Sequence, residues 1–354
     1  MIKKLAFIFS IVVLFGCFVI NSNTNNVFAS SNTAEVVMEL NSNRVLHELN
    51  ANKKMYMAST TKILTAITII ENCELSDVVT VEKESVGIEG SSIYLEVGER
   101  LTVKDLLYGL MLRSGNDCAE TLALYCSGSI YAFAELMNDT AKKIGANNSN
   151  FVNPHGLHDD NHYTTAYDLA KIACYSMKND DFREIVGTQK IKIPFTTRNT
   201  KRLLLNKNKM LKEFDGATGI KTGYTKKAGR CLVSSCFRNG MELICVVLNS
   251  PPMFERSKEL LTETFNLYEN VKLVESDNFV GFTEYNGNNL PLYIKNDVIL
   301  PLNNKEKEQL RIEYDYPKTL NKNYDFEKEI GFVKIYCSNN LIFQEKIYTI
   351  LSVK

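Results

Sequence analysis

At 354 residues the chain exceeds what one hydrophobic core usually organises, so two folded units are expected. Its 41 basic and 41 acidic residues cancel, with no dense run of either sign, which argues against nucleic acid or a polybasic membrane patch as a partner. A hydrophobic share of 45% is ample for packed cores, and function has to be sought in a site.

The chain opens on an export signal: Lys3 and Lys4 form a positive region, Leu5 to Ile20 an apolar stretch, and "VFAS" a small-residue cleavage site after Ala29. Residues 1–29 are expected to be a signal peptide that delivers the chain to the outer face of the cytoplasmic membrane or to the cell wall. Retention of the apolar run as an anchor, or lipoprotein-type cleavage at Cys17, stays open. No second stretch approaches the ~20 apolar residues of a spanning helix. After a polar segment to about residue 33, "AEVVMELNSNRVLHELN" shows two β-type runs about Asn41-Ser42-Asn43, a hairpin signal.

The apolar run "MASTTKILTAITII" predicts a buried helix beginning near Ser59, with Lys62 in its first turn. Asp77 to Arg100 reads as short strands and loops. Thr102-x-x-Asp105 is a capping-box start for an amphipathic helix carrying Leu106, Leu107, Leu110 and Met111. That helix breaks at Ser114-Gly115-Asn116 and resumes through Ala119, Leu122, Ala123 and Cys126. Further helices are predicted over Ile130 to Ile144 and Ala166 to Met177. Gly219 to Asn249 reads as a three-stranded antiparallel meander with Asn239-Gly240 as a tight turn. A helix follows with Leu260, Leu261, Thr264, Phe265 and Tyr268 on one face. The first domain is thus expected over 34–268, and short β-type runs predict a small all-β unit over 271–354.

Nine cysteines would suggest disulfides in an exported chain. Here the eight after Cys17 are scattered singly among apolar residues, where a free thiol packs like a small hydrophobe, and that reading is preferred. Neither a CxxC pair nor a Cys/His cluster with zinc spacing occurs, so no metal site and no cofactor is expected.

Ser59 and Lys62 lie on one helical face about a turn apart. Burial lowers a lysine pKa and lets the amine act as a base toward a serine hydroxyl, while the helix N-terminus favours negative charge developing there. An isolated Ser-x-x-Lys is more often an ordinary N-cap with a snorkelling lysine. Two further elements change that reading: Ser114-Gly115-Asn116 follows 55 residues after Ser59, and Lys221-Thr222-Gly223 lies 107 residues after Ser114. The second sits at a break between helices, which can aim two polar side chains into a cleft. The third sits on a predicted strand, with a cation and a hydroxyl for a carboxylate and a glycine where a peptide could pair alongside. This ordered trio is the motif set of serine β-lactamases and penicillin-binding proteins.

With these motifs the chain resembles the low-molecular-weight penicillin-binding proteins that act as D-alanyl-D-alanine carboxypeptidases. "MASTTKILTA", "LMLRSGNDCAETLA", "FVNPHGLHDDNHYTTAYDLA" and "DGATGIKTGYTKKAGRCLV" carry the likeness over about residues 34 to 268. The resemblance implies an α/β (α+β) DD-peptidase/β-lactamase-like domain, an antiparallel sheet flanked by helices, followed by the β-rich unit. It also implies that Ser59 is acylated, Lys62 is its general base and Ser114 relays a proton to the leaving amine. Asn116 would hold the substrate peptide, Lys221, Thr222 and Gly223 its terminal carboxylate end, and the backbone N–H groups of Ser59 and Tyr224 the oxyanion. The implied partners are a peptidoglycan pentapeptide ending in D-Ala-D-Ala and β-lactams as inhibitors, with peripheral membrane association left open.

The chain departs from the family where many members carry arginine after the third strand; Met253 stands there, which removes a guanidinium from carboxylate binding. His155, His158 and His162 are read as loop-ordering groups rather than catalysts. The rival readings are a serine β-lactamase and a non-catalytic wall-binding protein of the same fold. Absence of glutamate between Asn147 and Asp168 weighs against the first, and intact Ser59, Lys62 and Lys221 weigh against the second.

Overall fold

The structure, a computed structural model, describes residues 32–276 and 278–349. The expected leader and its cleavage point at Ala29 lie outside these residues. Strands β1 (Ala34–Glu39) and β2 (Val45–Leu49) form the expected hairpin. Its turn is stabilised from within: Glu39 accepts hydrogen bonds from the backbone N–H groups of Asn41 and Ser42, and Asn43 takes the left-handed conformation (φ 55°) that asparagine tolerates.

Helices α1 (Lys62–Asn72), α2 (Val103–Leu112), α3 (Asn116–Ser127), α4 (Ile130–Ile144), α5 (Ala166–Met177) and α6 (Asp180–Gly187) follow. The Thr102–Asp105 capping box at the start of α2 is present in both directions. Strands β3 (Ala217–Thr225), β4 (Gly229–Arg238) and β5 (Met241–Leu248) then form the meander, and α7 (Met253–Leu267) closes the unit. The antiparallel sheet runs β2-β1-β5-β4-β3, so β3 is an edge.

Period-two patterning of the strands separates two buried faces. Val37, Leu232, Leu243, Cys245 and Val247 pack beneath α7 with Leu260 and Leu261. Val36, Met38, Val233, Ile244, Val246 and Leu248 face the helical layer. Helix α1 is buried inside that layer, with Ile63, Leu64, Ala66, Ile67 and Ile69 all essentially inaccessible, as an apolar circumference requires.

Elements without a sequence forecast include α6, an antiparallel hairpin, Lys190–Phe195 with Thr200–Leu205, and short helices at Met210–Glu213 and, within the unit expected to be all-β, Asn304–Lys307. The hairpin is tied back to the body by Arg202, whose guanidinium reaches the buried Glu99 carboxylate at 2.8 Å.

The C-terminal unit holds a five-stranded antiparallel sheet and a separate strand pair around Leu292, Ile294, Leu300, Val333, Ile335 and Ile347. Its strand Asn340–Thr349 is hydrogen-bonded on both sides, to Asn288–Ile294 and to Gly331–Cys337. The two units meet at Arg44, which donates to the Pro301 carbonyl and pairs with Glu306 at 2.7 Å.

Candidate active site

Ser59 does not begin the long helix. It sits in a single 3₁₀ turn, Ala58–Thr61, and the α-helical run starts at Lys62. The turn is entered through Ala58 at φ 49°, a left-handed conformation costly for alanine and maintained by its surroundings. Thr61 donates to the Ala58 carbonyl at 2.8 Å, and His162 Nε2 meets the same hydroxyl at 2.8 Å. Gly156 lies directly over the turn, at φ +85°, where an added Cβ would stand 2.0 Å from the Ala58 carbonyl oxygen. The loop 150–165 therefore presses the serine turn into place.

Lys62 is fully buried. Its Nζ lies 2.7 Å from Asn116 Oδ1, 2.6 Å from the His155 carbonyl oxygen and 3.3 Å from Ser59 Oγ. Burial, reinforced by the nearby charge of Lys221, holds its pKa well below the usual lysine value. A neutral amine has two N–H donors and one lone pair. Two of the three neighbours are oxygens that only accept, so they take both donors and leave the lone pair for the hydroxyl of Ser59. After proton uptake the same three oxygens satisfy all three donors of the ammonium.

Asn116 opens α3, and its amide is committed on both sides: Oδ1 accepts from Lys62 while Nδ2 donates to the Glu89 carbonyl. Expected to hold substrate, it is placed here on the lysine, with one N–H left over. The segment 92–95 is fastened to the start of α3 by Asp117, a residue sequence reasoning passed over. Its buried carboxylate accepts from Ser92 Oγ and from the backbone N–H groups of Ile93, Leu95 and Cys118. Ser114, at φ 65° and 5% exposed, occupies the break between α2 and α3 two residues from Asn116.

Lys221 on β3 is also buried; its Nζ donates to the Thr222 carbonyl, and desolvation, followed by the charge of Lys207, lowers its pKa to about 7. Thr222 is half-buried beside it, and Tyr224 is exposed with Arg230 stacked near its ring. Gly223 has a further reason, internal to the fold. A Cβ there would meet Met57 O at 2.9 Å and the backbone nitrogens of Ser59 and Thr60 at 3.1 Å. The glycine clears the chain's own serine turn and brings the third motif against the first, while Asn116 on Lys62 brings in the second.

The histidines order the loop. His155 Nδ1 accepts from Leu157 N–H and its Nε2 faces Glu120 at 3.0 Å, while burial lowers the pKa of the ring. His162 Nδ1 accepts from Val152 N–H, and burial lowers its pKa to about 3. His158 packs edge-on against Tyr56. Met253 is buried at the start of α7 and brings no cation to the cleft. Among the described residues, no group of three His, Cys, Asp or Glu is placed to hold a metal ion.

Comparison with known proteins follows the same outline. The family described as D-alanyl-D-alanine carboxypeptidase, peptidase S11, matches residues 21–252, and that described as penicillin-binding protein 5, C-terminal domain, matches residues 268–354. The D-alanyl-D-alanine carboxypeptidase DacF of Bacillus subtilis is 34% identical over 263 residues, covering 72% of this chain and 63% of that one. A D-alanyl-D-alanine carboxypeptidase of Streptomyces sp. strain K15 is 36% identical over 217 residues, covering 57% and 75%. The chain thus spans under two thirds of the Bacillus relative. The crystal structure of penicillin binding protein 5 from Haemophilus influenzae covers 90% of this chain and 96% of its own at 26% identity, with a TM-score of 0.77. That of DacD from Francisella tularensis covers 90% and 92% at 26% identity, with a TM-score of 0.70. By the extent of the family match and the motifs gathered around Ser59, this chain belongs to the D-alanyl-D-alanine carboxypeptidase family of S11 peptidases.

Proposed function

We propose that the protein is a serine-type D-alanyl-D-alanine carboxypeptidase that trims the terminal D-alanine from peptidoglycan stem pentapeptides through an acyl-enzyme on Ser59, and that penicillins acylate the same oxygen. The observation that carries this is the buried Lys62 amine, 3.3 Å from Ser59 Oγ and held by Asn116 Oδ1 at 2.7 Å and the His155 carbonyl at 2.6 Å. Ser59 attacks the carbonyl of the penultimate D-alanine while Lys62 accepts its proton. The oxyanion is received by the backbone N–H groups of Ser59 and Tyr224. Ser114 passes a proton to the departing amine, which leaves as D-alanine, and water then hydrolyses the ester.

Lys221 complements Lys62. Poised near 7, it regains its proton when a carboxylate enters, because the opposite charge stabilises the ammonium. Thr222 supplies a hydroxyl to that carboxylate, and the spare N–H of Asn116 serves the peptide carbonyl. In the absence of a guanidinium at Met253, Lys221 is the cation of this subsite. The leader Met1 to Ala29 would deliver the enzyme to the outer face of the cytoplasmic membrane or the wall, where its substrate lies.

Incubation with benzylpenicillin followed by intact-mass analysis tests the proposal. One stable penicilloyl adduct is expected on the wild-type chain and none on Ser59→Ala, with release of D-alanine from a pentapeptide lost in the same variant. Rapid catalytic hydrolysis of benzylpenicillin without peptide trimming would make it a β-lactamase instead.

A further inference from the structure

Three oxygens surround the Lys62 amine, and the shortest contact, 2.6 Å, is to the main-chain carbonyl of His155 in the loop 150–165. A main-chain oxygen has no rotamer of its own, so its place is set by whatever fixes its residue. The His155 ring is fixed at both nitrogens. Nδ1 lies 3.1 Å from the Leu157 N–H, a group that can only donate, so the proton of the ring sits on Nε2. Nε2 in turn donates to Glu120 Oε1 at 3.0 Å. Both side chains are withdrawn from water, 8% exposed for His155 and 12% for Glu120, which strengthens the contact and makes its loss costly.

We infer that Glu120 is a positioning residue for the acylation of Ser59: through the His155 ring it holds the His155 carbonyl against Lys62 Nζ, and so keeps the amine turned toward the serine. Glu120 stands one helical turn after Asn116 in α3, on the same face of the helix. That face supplies two of the three contacts of the amine, Asn116 by a direct hydrogen bond and Glu120 through the imidazole and its main chain. Both serve direction. An amine held by Asn116 alone can swing about that bond, and a second fixed acceptor narrows the swing to the orientation that faces Ser59 Oγ.

The loop has other fastenings, which separates this role from folding. Thr65 Oγ1, on α1, donates to the Pro154 carbonyl at 2.7 Å, and the Asn153 side chain accepts from the Gly156 N–H and donates to the Leu157 carbonyl. These bonds hold the residues on either side of His155, and none of them touches its ring. Loss of the Glu120 carboxylate therefore leaves the loop folded, with the imidazole held at one nitrogen only. The role rests on the peptidase reading, in which Lys62 is the base.

Penicillin acylation of the full-length chain, followed by stopped-flow labelling over a range of antibiotic concentrations, tests this. Glu120→Ala should lower the limiting acylation rate about tenfold, leave the concentration giving half of that rate unchanged, and keep the circular dichroism of the wild type. Glu120→Gln, whose amide oxygen also accepts from Nε2–H, should return to within about threefold of wild type. His155→Phe should fall about tenfold as well, and adding Glu120→Ala to it should cost nothing more, because the carboxylate acts through the ring. An undiminished limiting rate in Glu120→Ala, failure of glutamine to rescue it, or losses that simply add in the double variant overturns the inference. Should the alanine variant not fold, the glutamine and phenylalanine variants decide, and equal rates in the two overturn it. A wild-type chain that takes up no penicillin removes the peptidase reading and this role with it, whereas labelling at the wild-type rate in every variant removes this role alone.

Discussion

The two folded units treat polar groups in opposite ways. The catalytic unit buries Lys62, Lys221, Asn116, Asp117, His155 and His162 almost completely, whereas among the described residues of the C-terminal unit Thr283 is the one polar side chain buried to that degree. Burying such groups costs free energy unless each is paired, and a buried amine or imidazole that lacks an opposite charge loses its proton instead. The catalytic unit accepts that cost where reactivity requires it. The described core of the C-terminal unit is a β-sheet cluster of apolar side chains around Leu292, Ile294, Val333 and Ile335.

Four variants sharpen or break the contrast. Replacing Lys62 with Met should lower the rate of penicillin acylation about 10³-fold while the chain stays folded by circular dichroism; a loss under tenfold would separate the buried amine from the chemistry. Ile335→Ala, in the C-terminal core, should cost about 2–4 kcal/mol in a denaturant titration of that unit and leave acylation unchanged. A parallel fall in acylation would show that the two units are energetically one. Gly223→Ala forces the serine turn away from β3 and should slow acylation about 10²-fold with the overall fold retained, read by stopped-flow labelling.

The fourth variant tests a dependence on pH. The His162 imidazole titrates near 3 when folded and near 6.5 when unfolded, so between these values the unfolded chain binds the extra proton and stability falls as pH falls. A slope of about 1.4 kcal/mol per pH unit is expected from this group across that window. Urea midpoints at pH 4 to 6 should show a flatter dependence in His162→Gln than in the wild type; identical slopes would place the acid sensitivity elsewhere.

Local patterns were legible from the chain itself. Helices α4 and α5, the β1–β2 hairpin and the meander each follow from periodicity and turn chemistry acting over a few residues. The three motifs were legible as a set, because their order is a linear property. What the chain did not disclose depends on residues far apart: the Asn116 and His155 contacts to Lys62 span 54 and 93 positions, and no local propensity encodes them. The same holds for Gly223, whose need for a bare α-carbon is visible only against Met57 and Ser59. Asp117 was overlooked because a carboxylate at a helix start has an ordinary explanation. The 190–205 hairpin escaped notice although its β-type runs flank Asn199; it depends on Arg202 reaching Glu99 across 103 positions.

The catalytic sheet ends at β3, so the last ladder of backbone groups beside Ser59 has no neighbouring strand. An open ladder of that kind is the geometry to which an extended peptide can add as a further strand, and a chain already folded into helix or sheet has no such backbone groups to offer.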